Sequence, residues 1–176
     1  ELRHNSKEAI SKLKKLGVKN IIMLTGDTKQ KAEMIANELG INEVRAELLP
    51  QDKAKIVKEL MNEGKKVAFV GDGINDAPAL ISAHVGISMS RGADIAKATA
   101  DISLLKDDIM AVVEAKEYAN KTMNLINNNF NATVGINSCI LAGATFGIFS
   151  PIITAFLHNG TTIGLLFNSI KGVNIR

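Results

Sequence analysis

The residues best suited to chemistry form one string: Gly71, Asp72, Gly73, Ile74, Asn75, Asp76, Ala77, Pro78, Ala79 and Leu80. Asp72 and Asp76 set two carboxylates four positions apart, with the amide of Asn75 between them. Hard oxygen donors grouped in this way suit Mg2+, which binds through one or two carboxylates and leaves its other positions to water and substrate phosphate. The same residues would also serve as an acidic turn that caps a helix.

A second group is Thr25-Gly26-Asp27. Thr25 offers a hydroxyl, Gly26 lets backbone approach a ligand, and the N–H groups of a following helix would point at the same spot, which makes a seat for phosphate. An ordinary strand-to-helix turn uses these residue types as well. The third candidate is Lys53, in Leu49-Pro50-Gln51-Asp52-Lys53. A cation in the first turn of a helix is disfavoured by the helix dipole, so Lys53 needs an anion to answer it. That anion is either a bound phosphate or a neighbour such as Asp52 or Glu47.

The elements that must position these groups alternate. Asn5 with Glu8 reads as a capping box, followed by Ala9, Ile10, Leu13 and Leu16 on one helical face and a stop at Gly17. Residues 21–24 are wholly apolar, as in a strand buried on both faces, and run into the Thr25 loop. Ala32, Ile35, Ala36 and Leu39 mark a second helix ending at Gly40, and Ile56, Val57, Leu60 and Met61 a third ending near Gly64. Residues 67–70 form the next strand and lead into Asp72, with further strands at 85–88 and 102–105 and a helical turn at 93–98 between them. Strands separated by helices predict an α/β fold, a Rossmann-like parallel sheet with its chemistry at the carboxyl ends of the strands.

Charge divides the chain. The net charge is +3, but Lys alternates with Glu and Asp in the first half without forming a basic stripe, which argues against nucleic acid. The single cysteine, Cys139, rules out an internal disulfide and reads as a buried, inert thiol. Residues 122–170 contain no Lys, Arg, Asp or Glu. A span of the bilayer core takes roughly 20 residues, so two fit, at about 130–149 and 152–170, with a turn at Gly147, Ser150 and Pro151. Lys116 and Lys121 precede the pair and Lys171 follows it, which puts both ends on the cytoplasmic side. A buried hairpin of a soluble enzyme is the alternative. Within this stretch His158 with Thr161 or Thr162, and more weakly Asn137 or Cys139, could supply a ligand to a transition metal. An interfacial histidine is the alternative to that.

Thr-Gly-Asp, then Pro-x-Asp-Lys, then Gly-Asp-Gly-x-Asn-Asp-x-x-Ala-Leu, in this order, resembles the P-type ATPases of the haloacid-dehalogenase superfamily. The resemblance implies a partial phosphorylation domain at 1–118, cytoplasmic, and a two-helix transmembrane hairpin at 119–176 of a multi-pass protein in the plasma (inner) membrane. It implies that Thr25, Gly26, Asp27 and Lys53 form the catalytic set, with Thr25 and Lys53 holding the phosphoryl group. Asp72 would bind Mg2+, with Asn75 and Asp76 completing that site, and ATP would be the phosphate donor. The family's accepting aspartate lies in Asp-Lys-Thr-Gly-Thr, a string that does not occur here. It and the nucleotide-binding insertion are expected to precede residue 1, since the segment at Arg3 resembles the stretch just beyond that insertion. This chain alone is therefore not expected to phosphorylate itself.

A closing helix pair resembles the type IB branch, which moves transition metals. Leu157-His158-Asn159-Gly160-Thr161-Thr162 resembles that branch's His-Glu-Gly-x-Thr element, with Asn159 in place of the carboxylate. The implied partners are a divalent metal ion as cargo, moved outward, the lipid bilayer, and a separate N-terminal half of the pump. The rivals are a soluble phosphatase of the same superfamily and an inactive split or truncated product.

Overall fold

The structure, a computed structural model, describes residues 5–72, 74–89 and 98–172. It divides into two compact units, Glu1–Lys116 and Glu117–Arg176.

In the first unit helices and strands alternate: α1 (Ser6–Lys15), β1 (Ile22–Leu24), α2 (Lys29–Leu39), β2 (Glu43–Arg45), α3 (Pro50–Asn62), β3 (Ala68–Gly71), a 3-10 turn (Ile74–Asp76), α4 (Ala77–Ser82), β4 (Val85–Ser88) and β5 (Ile102–Ser103). All pairings are parallel, as helical crossovers require. Among the described residues they form two sheets, β1-β2 and β3-β4-β5, where the sequence suggests one. Ile22 sits opposite Glu43, and Ala68 opposite Val85.

β2 escapes a search for apolar runs, because Glu43 and Arg45 flank a single Val44. The expected strand at 102–105 shrinks to two exposed residues, and Leu105 is 95% exposed. β1 is half-buried, not covered on both faces, whereas β4 is buried along most of its length. Of the turn expected at 93–98, residues 93–97 lie outside the described residues.

The helices end where glycine was expected to end them, at Gly40 (φ 71°) and Gly64 (φ 80°), in the left-handed conformation that glycine adopts without strain. The start of α1 differs. Asn5 is itself left-handed (φ 73°) and its side chain caps nothing, since capping needs an extended residue at that position. Glu8 pairs instead with Lys12 at 2.8 Å.

Small residues dominate the core. Ala9, Ala32, Ala36, Val57, Ala79 and Leu80 are buried, and Ile87, Met89 and Val112 pack together with Val70, Val85 and Leu104 around them. Alanine at Ala79 lets α4 lie close to its neighbours. α4 follows directly on Asp76, so its packing fixes the loop that carries the carboxylates.

The second unit is a helical hairpin. α5 (Met110–Thr145), which begins in the first unit, runs for 36 residues, and α6 (Pro151–Gly172) for 22, joined by a turn in which Gly147 is left-handed (φ 73°). Phe149 lies against Gly143 and Leu125 against Gly172, positions where any side chain on the glycine would collide. Among the described residues no helix is long and apolar enough to cross a membrane. Polarity is the reason, not length, for α6 at 1.5 Å per residue is roughly 33 Å long. Asn127, Asn128, Asn129, Asn131 and Asn137 dilute α5, and His158 to Thr162 interrupt the middle of α6. Cys139 is exposed, contrary to the buried thiol expected.

Candidate phosphate and magnesium site

β3 ends at Gly71, and the chain turns through Asp72 to Asp76 before α4 begins. Asp76 occupies the N-cap of α4 without capping it. Both its oxygens are directed elsewhere: Oδ1 accepts from Lys53 Nζ at 2.7 Å, and Oδ2 accepts from the Asp72 N–H at 3.3 Å. Asp76 is buried (8% exposed), so an unpaired charge there would be costly. Gly71 makes room for it, because a Cβ at Gly71 would lie 2.7 Å from the Asp76 Cβ and 2.9 Å from Oδ2. Asp72 and Asn75 stay exposed.

Lys53 therefore finds its anion within the protein, and it is neither of the two neighbours considered from the sequence. Asp52 turns back to accept the Leu49 N–H at 3.0 Å and closes the start of α3. The Lys53–Asp76 pair is well shielded, its side chains 15% and 12% exposed. The pairs Lys12–Glu8, Lys29–Glu33, Lys31–Asp27, Arg45–Glu43 and Lys65–Glu63 lie instead on open surface.

The Thr25 loop is built separately. Thr25 closes β1 by donating its N–H to the Arg45 carbonyl at 3.0 Å, and its Oγ1 accepts the Asp27 N–H at 3.1 Å. The Lys31 ammonium, 2.9 Å from Asp27 Oδ1, holds the Asp27 carboxyl below the usual aspartate range, first by its hydrogen bond and then by its charge. A Cβ on Gly26 would sit 3.3 Å from the Leu48 carbonyl, a tight fit. Leu48 donates to the Thr25 carbonyl at 3.1 Å, and Glu47, left-handed at φ 58°, donates to the Asp27 carbonyl at 2.9 Å. Backbone thus ties this loop to the entry of α3, the helix that carries Lys53.

Among the described residues no group of three or more His, Cys, Asp or Glu could hold a metal ion. Mg2+ needs fewer protein donors than that, and the exposed Asp72 carboxylate and Asn75 amide are oxygen donors of the kind it accepts.

In the hairpin, His158 Nδ1 and Asn137 Oδ1 meet across the helices at 3.0 Å. Thr161 and Thr162 do not join them: their hydroxyls donate to the Leu157 and His158 carbonyls of their own helix, at 2.8 and 3.1 Å. A second polar cluster was not expected from the sequence. Asn129 Nδ2 donates to Ser169 Oγ, and Asn168 Nδ2 donates to Asn129 Oδ1, both at 2.7 Å. Counting residues outward from the Gly147 turn in both directions pairs Asn129 with this region, which is the signal that could have found it.

A family model for haloacid dehalogenase-like hydrolases matches residues 1–84. The chain is 40% identical over its whole length to a manganese-exporting P-type ATPase of Mycobacterium leprae, of which it covers 24%. It is 38% identical, over 97% of its length, to a copper-exporting P-type ATPase of Bacillus subtilis, of which it covers 21%. The crystal structure of a zinc-transporting PIB-type ATPase in the E2.Pi state superposes on 99% of the chain with a TM-score of 0.89 at 37% identity, the chain covering 28% of it. The chain thus spans about a quarter of the length of the curated relatives it matches. Motifs, fold and likeness agree in relating the chain, over its whole length, to a partial region of the heavy-metal P-type ATPases, with a haloacid-dehalogenase-like domain in its first part.

Proposed function

We propose that this chain supplies the magnesium- and phosphate-binding half of the phosphorylation site of an ATP-driven transition-metal pump, together with a membrane hairpin. The observation that carries the reading is the shielded Lys53–Asp76 pair at the carboxyl end of β3, beside the exposed Asp72. Lys53 presents a compact positive charge to a phosphoryl group, Thr25 offers its hydroxyl, and Gly26 admits backbone close to the anion. Mg2+, proposed to be held at Asp72 with Asn75 and Asp76 beside it, would neutralise charge on the transferring phosphoryl group. The accepting aspartate is proposed to come from another segment, in the same polypeptide or in a separate N-terminal half.

Residues 1–118 are assigned to the cytoplasm and 119–176 to the plasma (inner) membrane. What supports this is the uncharged stretch 122–170 and its exposed large side chains, Phe146, Ile152 and Phe156 each about four-fifths exposed. Two of the asparagines that dilute the first of these helices, Asn129 and Asn137, meet polar groups of the second across the hairpin. Pairing satisfies such groups at membrane depth. The cargo is proposed to be a divalent transition-metal ion moved outward, with His158 and Asn137 as its contacts and Thr161 a weaker one.

The test is phosphate incorporation from gamma-labelled ATP, with this chain mixed with a segment carrying the accepting motif and presented with manganese, zinc, cadmium and cobalt in turn. Label that needs both parts, depends on Mg2+ and responds to one metal supports the proposal. Label on this chain alone, or none in any mixture, defeats it.

A further inference from the structure

We infer that Asp76 is not a ligand of Mg2+ but a positioning residue, the fixed counter-ion that aims the Lys53 ammonium and the turn at Asp72. The inference rests on the proposed phosphate and magnesium site and divides the labour within it.

Three observations carry it. Each oxygen of Asp76 already has a donor, Lys53 Nζ at 2.7 Å on Oδ1 and the Asp72 N–H at 3.3 Å on Oδ2. A dication on either oxygen would come to rest beside an ammonium, in a place where little water screens the repulsion, for the Asp76 side chain is only 12% exposed. The carboxylate is also held from behind, because Gly71 leaves no more room than Asp76 fills. Asp72, by contrast, is exposed and can reach an ion that keeps most of its water.

Lys53 and Asp76 come from different helical segments, α3 and the turn before α4, which pack on each other. One ion pair therefore sets the distance between the helix that offers the positive charge and the loop that offers the metal ligand. The ammonium has three donors, and Asp76 uses one of them, so the others remain for an anion.

The experiment uses the whole 176-residue chain in detergent, with Mn2+ as the metal probe and acetic anhydride as the amine probe. Broadening of amide signals around Asp72 reports the metal, and mass spectrometry reports how fast Lys53 is acetylated. Asp76→Asn is expected to speed acetylation of Lys53 about tenfold, by releasing a shielded ammonium, and to leave the Mn2+ midpoint within about twofold of the parent. Asp72→Asn should abolish the broadening and leave Lys53 protected. Broadening lost in Asp76→Asn as fully as in Asp72→Asn, with Lys53 no more reactive, overturns the inference. If Asp76→Asn does not fold, Lys53→Met decides: a metal-binding Asp76 freed of its partner would lower the Mn2+ midpoint by about tenfold, whereas an unchanged midpoint supports a positioning role. Broadening that neither Asp72→Asn nor Asp76→Asn alters defeats the magnesium reading itself, while the acetylation rates still judge the ion pair.

Discussion

The two units solve the same problem, a polar group among apolar neighbours, in opposite ways. The α/β unit shields a full charge and pays for it with a partner: Lys53 against Asp76 at 2.7 Å. The hairpin has no Lys, Arg, Asp or Glu between residues 122 and 170 and joins its helices through polar pairs, Asn129 to Ser169 and Asn168, and Asn137 to His158. A charge pair loses far more when one member is removed than an amide pair does. The stronger, riskier device lies where we propose that phosphate is bound, and the milder one joins two long helices.

The largest effect is expected at Asp76. Asp76→Ala leaves the shielded Lys53 ammonium without its counter-ion and frees the Asp72 N–H, a loss of about 3 kcal/mol. Urea denaturation of the chain in detergent, followed by the signals of the first unit, measures it. A loss under about 1 kcal/mol would mean that the pair behaves as a surface ion pair and that the contrast with the hairpin is false.

Next comes Gly86→Ala. The Gly86 N–H donates to Asp101 Oδ2 at 2.8 Å, and a Cβ there would lie 2.7 Å from the Leu80 carbonyl, which as backbone of α4 cannot rotate aside. The strain is expected to cost about 1–3 kcal/mol in the same denaturation. Because α4 follows Asp76, acetylation of Lys53 should rise as well. An unchanged Lys53 would show that the ion pair holds independently of the packing beneath it.

How far the sequence reveals these places depends on the physics of each. Period-3.6 patterns at Ala32, Ala36 and Val57 and the left-handed glycines at Gly40 and Gly64 are local features, and local reading finds them. The string from Gly71 to Leu80 marks a candidate site by residue type alone. The partner of Lys53 is another matter: Asp52 is adjacent and Asp76 is 23 positions away, and only packing of α3 against the turn before α4 selects the distant one. β2 is hidden because two of its three residues are charged, whereas β5 is found but drawn too long, because Leu105 of the expected run stays exposed. Asn129 is hidden in a run of asparagines until the hairpin's register singles it out.

A smaller effect is expected from Asn129→Ala. It removes hydrogen bonds to Ser169 and Asn168, and neutral bonds between helices in lipid or detergent are worth about 0.6 to 2 kcal/mol together. Thermal unfolding of the hairpin, read by circular dichroism, should fall by a few degrees and leave Lys53 acetylation where it was. A loss as large as that of Asp76→Ala would mean that neutral contacts carry as much as charged ones here.

The smallest effect is expected at Asp27, and it tests the ordering from the exposed end. Lys31 depresses the Asp27 carboxyl, so its folded value lies below its unfolded one. The stabilisation is therefore present above the unfolded value, about 3.9, and is lost as pH falls through the lower folded value. Lys31→Ala should return Asp27 toward the ordinary range, visible as an upward shift in the carboxyl carbon titration by NMR. Both side chains are about half exposed, so salt at 1 M, which shortens the screening length to about 3 Å, should reproduce most of that shift in the parent protein. The same salt should barely alter acetylation of Lys53, because burial excludes the ions that screen Asp27. If salt loosened both pairs equally, shielding would not be what separates the ion pair at the site from those on the surface.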